Sequence, residues 1–104
     1  MYVHVKGPNG EVDLVEPEDC KRFHVLCAVP ETALAAVADA LGPWAVGATA
    51  DHVWIRVDAV QAAAADRVAA GWSDEFAAML GYARSKGWLN DAGDAIAAHV
   101  EFSV

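Results

Sequence analysis

Disulfide bonds, secretion signals and membrane-spanning segments have little support in this sequence. Only two of its 104 residues are cysteine, Cys20 and Cys27, which is too few for the disulfide scaffold of a small secreted domain. No basic region precedes an apolar core, as it would in a signal peptide. No uninterrupted apolar run approaches the roughly 20 residues that span a bilayer. These absences predict a cytoplasmic protein with reduced thiols and no membrane partner.

Basic residues are also scarce. Seven lysines and arginines stand against fifteen aspartates and glutamates, which gives a net charge of −8 at pH 7. A charge of this sign opposes the phosphate backbones that nucleic-acid-binding proteins neutralise with Lys and Arg. Phosphate-binding loops, dinucleotide fingerprints and recognised nucleophile motifs are absent from the sequence as well. The sequence therefore predicts no nucleic-acid partner and no cofactor.

Apolar residues are abundant, at 56% of the chain. The length is that of one domain, so residues 1–104 are predicted to form a single α+β domain. Alanine supplies much of the apolar fraction, and it favours helices while adding little buried surface. The core is therefore expected to consist of the larger apolar side chains.

Alternating apolar and polar residues predict strands, and apolar residues at helical spacing predict helices. Strands are predicted over 2–6, 11–15, 22–29, 44–49, 52–57 and 95–104, and helices over 31–41, 58–70 and 73–86. Asn9-Gly10 is a strong hairpin signal between the first two strands. A helix beginning at Asp94 is an alternative for the last run, because Ile96, His99 and Val100 also fit helical spacing. The longer alternation favours a strand.

This order of elements predicts an N-terminal β-hairpin over 1–15 and a βαββαβ core over 22–104. The core pattern is that of a ferredoxin-like sandwich, in which helices cover one face of a mainly antiparallel sheet. The same order is similar to that of the dimeric α+β barrel proteins, which join two open sheet faces around a cavity. That similarity concerns topology alone, and a fold does not imply a function.

Each of the four histidines is followed by valine within a short alternating run. Successive side chains of a strand point to opposite faces, so each valine can face the core while its histidine faces outward. If these strands share one sheet, its open face gathers Arg22, His24, Leu26, His52, Trp54, Arg56, His99 and Glu101. If the N-terminal hairpin extends the sheet, Tyr2, His4 and Lys6 join the same face.

Such a face is open to a binding interpretation. A homodimer interface is one possibility, because tryptophan and arginine are enriched at interface hot spots. A small-molecule site is another, with Arg22, Trp54 and Arg56 as the ligand-binding residues. The plain interpretation is that these are unrelated outward-facing side chains.

The same face is also open to a catalytic interpretation. Histidine is the natural acid–base group near neutral pH, which makes His24, His52 and His99 candidate catalytic residues. Glu101, two residues from His99, is a candidate for orienting an imidazole. A metal site is not predicted, because no two histidines show a ligand spacing such as His-x₃-His.

Two segments of the C-terminal part carry a resemblance to a known group of proteins. They are Trp72-Ser-Asp-Glu-Phe-Ala-Ala-Met-Leu-Gly-Tyr-Ala-Arg-Ser-Lys-Gly-Trp88 and Ala98-His-Val-Glu101. This stretch of about thirty residues resembles the C-terminal third of small uncharacterised actinobacterial proteins. The alanine and valine bias suits a genome rich in G and C. The resemblance implies no activity and no functional residue.

The leading prediction is a small cytoplasmic homodimer that binds a small molecule or a protein partner on the histidine-bearing face. The alternative is an enzyme of the dimeric α+β barrel kind, with one of the sheet-face histidines as general acid or base. The sequence identifies neither a substrate nor a ligand.

Overall fold

The computed structural model describes residues 1–6, 11–28, 33–49 and 51–102. Its strands are β1 (Tyr2–Val5), β2 (Val12–Val15), β3 (His24–Cys27), β4 (Ala45–Ala48), β5 (Val53–Arg56), β6 (Ala95–Ala98) and β7 (Val100–Phe102). Its helices are α1 (Leu34–Leu41), α2 (Val57–Ala64) and α3 (Trp72–Ser85), with a short 3₁₀ turn at Gly42–Trp44. The predicted α+β class is confirmed. The turn predicted at Asn9-Gly10 lies outside the described residues.

The strands form two sheets. The first has the order β2-β1-β3-β7, and the second has the order β4-β5-β6. In the first sheet β1 is antiparallel to β2, whereas β1 and β7 both run parallel to β3. Pairing in the second sheet is antiparallel throughout. The predicted N-terminal hairpin is therefore present, and it extends the first sheet.

The last apolar run crosses from one sheet to the other. Ile96 in β6 pairs with Ile55 of the second sheet, and Val100 in β7 pairs with Val25 of the first. His99 lies between the two strands, and its carbonyl accepts a hydrogen bond from the N–H of Val25 at 3.0 Å. A strand that bends at a corner can serve two sheets in this way. The strand prediction for this run is confirmed over its described residues, in place of a helix from Asp94.

The arrangement differs from the expected ferredoxin-like order. That order requires β3 and β5 to be neighbours in one sheet, but β3 lies between β1 and β7 while β5 lies between β4 and β6. The residue alternation specifies which face of a strand is buried and leaves the partner strand open. Here β1 pairs along one edge of β3, and the break at His99 divides the last run between the sheets. The expectation of a single mainly antiparallel sheet is replaced by a mixed sheet and a separate antiparallel one.

The inward-facing valines of the strands form part of the core, as predicted. The fully buried strand residues are Val3, Val5, Leu14, Val25, Cys27, Val53, Ile55 and Ala95. Helix α1 packs on β4 and β5, and α2 contacts β5 and β2. Helix α3 contributes Trp72 and Phe76, whose rings stack with centroids 4.7 Å apart. No polar or charged residue of the described chain is buried, so the core is held by apolar contact.

The helix ends follow the sequence signals unevenly. Helix α1 ends at Leu41, immediately before Gly42, as predicted. Helix α2 ends at Ala64 and not near residue 70, because residues 65–67 are exposed and further turns would bury little. Gly71, at φ +94°, precedes α3 in the left-handed region that glycine tolerates best. Among the described helices, none has the length and hydropathy needed to cross a membrane.

Candidate functional site

Parallel pairing brings three rings into one row on the outer face of the first sheet. Tyr2 lies opposite His24 in the register of β1 and β3. The register of β3 and β7 aligns Val25 with Val100, so the preceding residues, His24 and His99, are also neighbours. The adjacent row holds His4, Leu26 and Glu101. We call the outward residues of this sheet the imidazole face: Tyr2, His4, Asp13, Val15, His24, Leu26, His99 and Glu101.

The rings of the first row stand side by side. The ring centroids of Tyr2 and His24 are 5.1 Å apart with 19° between the planes, and those of His24 and His99 are 5.6 Å apart at 21°. These distances are close to the strand spacing of about 4.8 Å. His4 meets the edge of Tyr2 at 6.3 Å.

Glu101 connects the two central imidazoles. Its Oε1 lies 3.1 Å from Nε2 of His99, and its Oε2 lies 3.6 Å from Nε2 of His24. The side chain of His24 is only 20% exposed, whereas those of His99 and Glu101 are more than half exposed. The contact to His99 is a hydrogen bond, while the contact to His24 acts as an ion pair only when His24 is protonated. One carboxylate thus lies between two groups that can bind protons.

The environment shifts two of these groups in the same direction. Burial lowers the pKa of His24 below its ordinary value of 6.5, and the nearby charges of His99 and Arg22 lower it further, against an opposing effect of Glu101. The hydrogen bond from His99 lowers the pKa of Glu101, helped by the charge of His24. At neutral pH His24 is therefore neutral and Glu101 is an anion.

The structure separates His52, Trp54 and Arg56 from this row. Trp54 and Arg56 lie on β5 in the second sheet, and His52 precedes that strand. Arg56 forms an ion pair with Asp58 at 3.2 Å. Arg22 precedes β3 and contributes through its charge on His24. Trp54 and Arg56 of the predicted ligand-binding set are therefore not assembled with the histidines, because β5 does not join the sheet of β3, whereas Arg22 stays close to His24.

Two members of the imidazole face were missed by the sequence reasoning. Asp13 and Val15 lie outward on β2, opposite His4 and Tyr2. The signal was present, since both residues alternate with the buried Leu14. Three of the four histidines do converge, and the condition stated for Tyr2 and His4, a hairpin that extends the sheet, is met.

Metal binding gains no geometric support. Within the part of the chain that the structure describes, no group of three or more His, Cys, Asp or Glu side chains is placed to hold a metal ion. Glu101 itself occupies the space between the two imidazole nitrogens. The arrangement can instead accept, hold and release protons at a solvent-facing surface.

In comparisons with known proteins, no protein-family model, curated protein or solved structure matches the chain. The resemblance of residues 72–101 to small actinobacterial proteins therefore stays a prediction.

Proposed function

We propose that this protein is a binding module that associates with a second copy of itself through the imidazole face. The observation that carries the proposal is the composition of that face. A solvated strand face is normally rich in Lys, Glu and Thr, whereas this one presents a row of three rings beside the half-buried Leu26. Aromatic residues are enriched, and lysine is depleted, at the centres of protein interfaces.

The charges at the two edges of the face support a second copy as the occupant. At the β2 edge, Lys6 and Arg67 lie 3.7 and 3.8 Å from Asp13, two cations around one anion. At the β7 edge, Glu101 is an anion beside neutral His24. A two-fold axis parallel to the strands would lay the β2 edge of one copy over the β7 edge of the other. The face is therefore complementary to itself in charge, as an isologous interface requires.

The size of the face sets the expected strength. Three strands of four residues and one of three cover about 19 by 13 Å, or about 250 Å², at the usual strand spacing and rise. A stable interface buries about 800 Å² per partner. The association proposed here is therefore weak and reversible, with a dissociation constant of about 10 to 1000 µM.

Sedimentation equilibrium from about 20 µM to 1 mM tests this association. The wild-type protein is expected to show a concentration-dependent mass, and Leu26→Asp is expected to remain a monomer because it buries an unpaired charge in the interface. Val46→Asp is the matched control, since Val46 is 55% exposed on β4 of the second sheet. A wild-type protein that stays monomeric, or a Leu26→Asp variant that associates normally, would overturn the proposal.

A second candidate function, acid–base catalysis, is favoured by the hydrogen bond between Glu101 and His99. If Nε2 of His99 donates to the carboxylate, Nδ1 is left as a proton acceptor on a ring that is 57% exposed. A carboxylate that orients an imidazole in this way is the arrangement of many general bases. We expect the protein to hydrolyse p-nitrophenyl acetate faster than equimolar imidazole, and His99→Gln to remove that excess. Equal rates for the wild type and the variant would exclude this candidate, whatever the oligomeric state.

A further inference from the structure

A separate cavity lies outside the imidazole face and has no function assigned to it so far. Its volume is about 690 Å³, within the range of about 300 to 1000 Å³ that is usual for small-molecule sites. It opens between the segment 18–21 and one face of α3. The lining residues are Glu18, Asp19, Cys20, Lys21, Glu75, Ala78, Met79 and Tyr82. None of them belongs to the imidazole face.

The walls of this cavity are fixed by hydrogen bonds. The indole N–H of Trp72 donates to the carbonyl of Pro17, and the N–H of Ala69 donates to the carboxylate of Glu18 at 2.6 Å. The N–H of Lys21 donates to Oδ1 of Asp19 at 3.0 Å. The first bond ties Pro17 to the start of α3, the second ties Glu18 to the loop just before α3, and the third stays within the segment 18–21. The cavity is therefore a built feature of the fold.

The α3 wall combines an acid with apolar and aromatic side chains. Glu75, Met79 and Tyr82 are spaced by four and three residues, which places them on one face of the helix. Tyr82 is 58% exposed, and its ring meets that of the 41% exposed Trp88 at 6.0 Å. A smaller cavity of about 90 Å³ shares Lys21, Met79 and Tyr82 and reaches Trp88. Large aromatic side chains with this exposure offer an apolar surface for a ligand.

The charges around the cavity favour a cation. Three carboxylates line it against one lysine. Glu18 and Asp19 already bind backbone N–H groups, and Asp19 also lies 3.7 Å from the amino group of Met1. The carboxylate of Glu75 forms no hydrogen bond or ion pair with the described residues. Its charge is close enough to Cys20 to add to the effect of burial in raising the pKa of that thiol.

The Tyr82 ring already shows that it attracts positive charge. The ammonium of Lys86 lies 5.5 Å from the ring centroid, within the range of a cation–π contact. A carboxylate without a partner and an exposed ring, placed one helical turn either side of Met79, are the two groups that recognise an alkylated ammonium.

We infer that this cavity binds an organic cation, an ammonium group that carries an apolar body. The ammonium lies between the Glu75 carboxylate and the Tyr82 ring. The apolar body lies over Met79 and extends toward Trp88 in the smaller cavity. This site is independent of the imidazole face, so the failure of one proposal leaves the other standing.

The test uses benzyltrimethylammonium as the probe and the methionine methyl groups as reporters. The chain has two methionines. Met79 lines the cavity and Met1 is 1% exposed in the core, so Met1 is an internal control. In ¹³C-methyl NMR titrations we expect the Met79 signal to move to saturation while the Met1 signal stays. Benzylsulfonate, which has the same apolar body and the opposite charge, is expected to leave both signals in place.

Two variants that change the charge of the cavity lining in opposite directions complete the test. Glu75→Gln is expected to weaken binding of the ammonium up to about fivefold, the size of one exposed charge contact. Lys21→Gln is expected to strengthen it by a similar factor, because a like charge is removed from the lining. Asp74→Asn is the control, since Asp74 neighbours Glu75 but does not line the cavity. Equal response to benzylsulfonate, or an unchanged affinity in Glu75→Gln, would overturn the inference.

Discussion

Replacing Trp72 by phenylalanine should separate the segment 17–21 from α3 without disturbing the stacked core. Trp72 is 7% exposed, stacks on Phe76, and donates its indole N–H to the carbonyl of Pro17. Phenylalanine keeps the stack and loses the donor. The lost hydrogen bond is worth about 1 kcal/mol, and two fewer buried carbon atoms cost about 1.5 kcal/mol. We therefore expect the free energy of unfolding to fall by about 2 to 3 kcal/mol.

Urea unfolding followed by far-UV circular dichroism measures this change, and the melting temperature should fall by about 10 to 15 °C. Trp88→Phe is the matched control. Its side chain is 41% exposed, and its indole N–H has no hydrogen bond within the described residues, so its effect should stay below about 1 kcal/mol. If the two variants unfold within 1 kcal/mol of each other, the hydrogen bond to Pro17 does not hold the segment, and the account of the cavity wall is wrong.

Three further outcomes follow from pH, backbone conformation and core packing. Burial lowers the pKa of His24 below 6.5, so near that pH the unfolded chain binds a proton that the folded chain does not. The free energy of unfolding should therefore fall as the pH drops from 7.5 through 6.5 toward the folded pKa. The urea midpoints of His24→Gln should fall less over the same range. Gly81, inside α3, has open space around the position of a Cβ atom, so Gly81→Ala should raise the free energy of unfolding by about 0.5 to 1 kcal/mol in thermal melts. Ile55 is fully buried, and guanidinium titrations should show losses of about 1 kcal/mol for Ile55→Val and 2 to 5 kcal/mol for Ile55→Ala.

The faces of the strands could be predicted from the sequence because burial on one side imposes a period of two. Val3, Val25 and Val53 are all fully buried, each beside a polar or half-exposed neighbour. The same reasoning placed Tyr2, His24 and His99 outward, as they are found. Helix ends marked by glycine, such as Gly42 after α1, were also readable. Local residue pattern was therefore a reliable guide to local structure.

The choice of partner strands could not be predicted in the same way. A strand such as β3 can pair on either edge with any strand that carries the same alternation, and the sequence has several. The parallel pairing of β1 with β3 and the division of the last run at His99 depend on packing between distant segments. That is why His52 and Trp54 were grouped with His24 although they belong to the second sheet. The cavity beside α3 was missed for a similar reason, since residues 18–21 and 75–82 meet only in three dimensions.

The run from Ala95 to Phe102 has a consequence for the order of events during synthesis. The N-terminal hairpin of β1 and β2 and the middle hairpin of β4 and β5 are each local, so both can form early. The strands that complete both sheets, β6 and β7, come last among the described elements. Until they emerge from the ribosome, β3 and β5 each keep one edge unpaired, and unpaired edges favour association between nascent chains. Residues 95–102 therefore complete both sheets last, and a chain that ends before them is expected to aggregate more readily than the full chain.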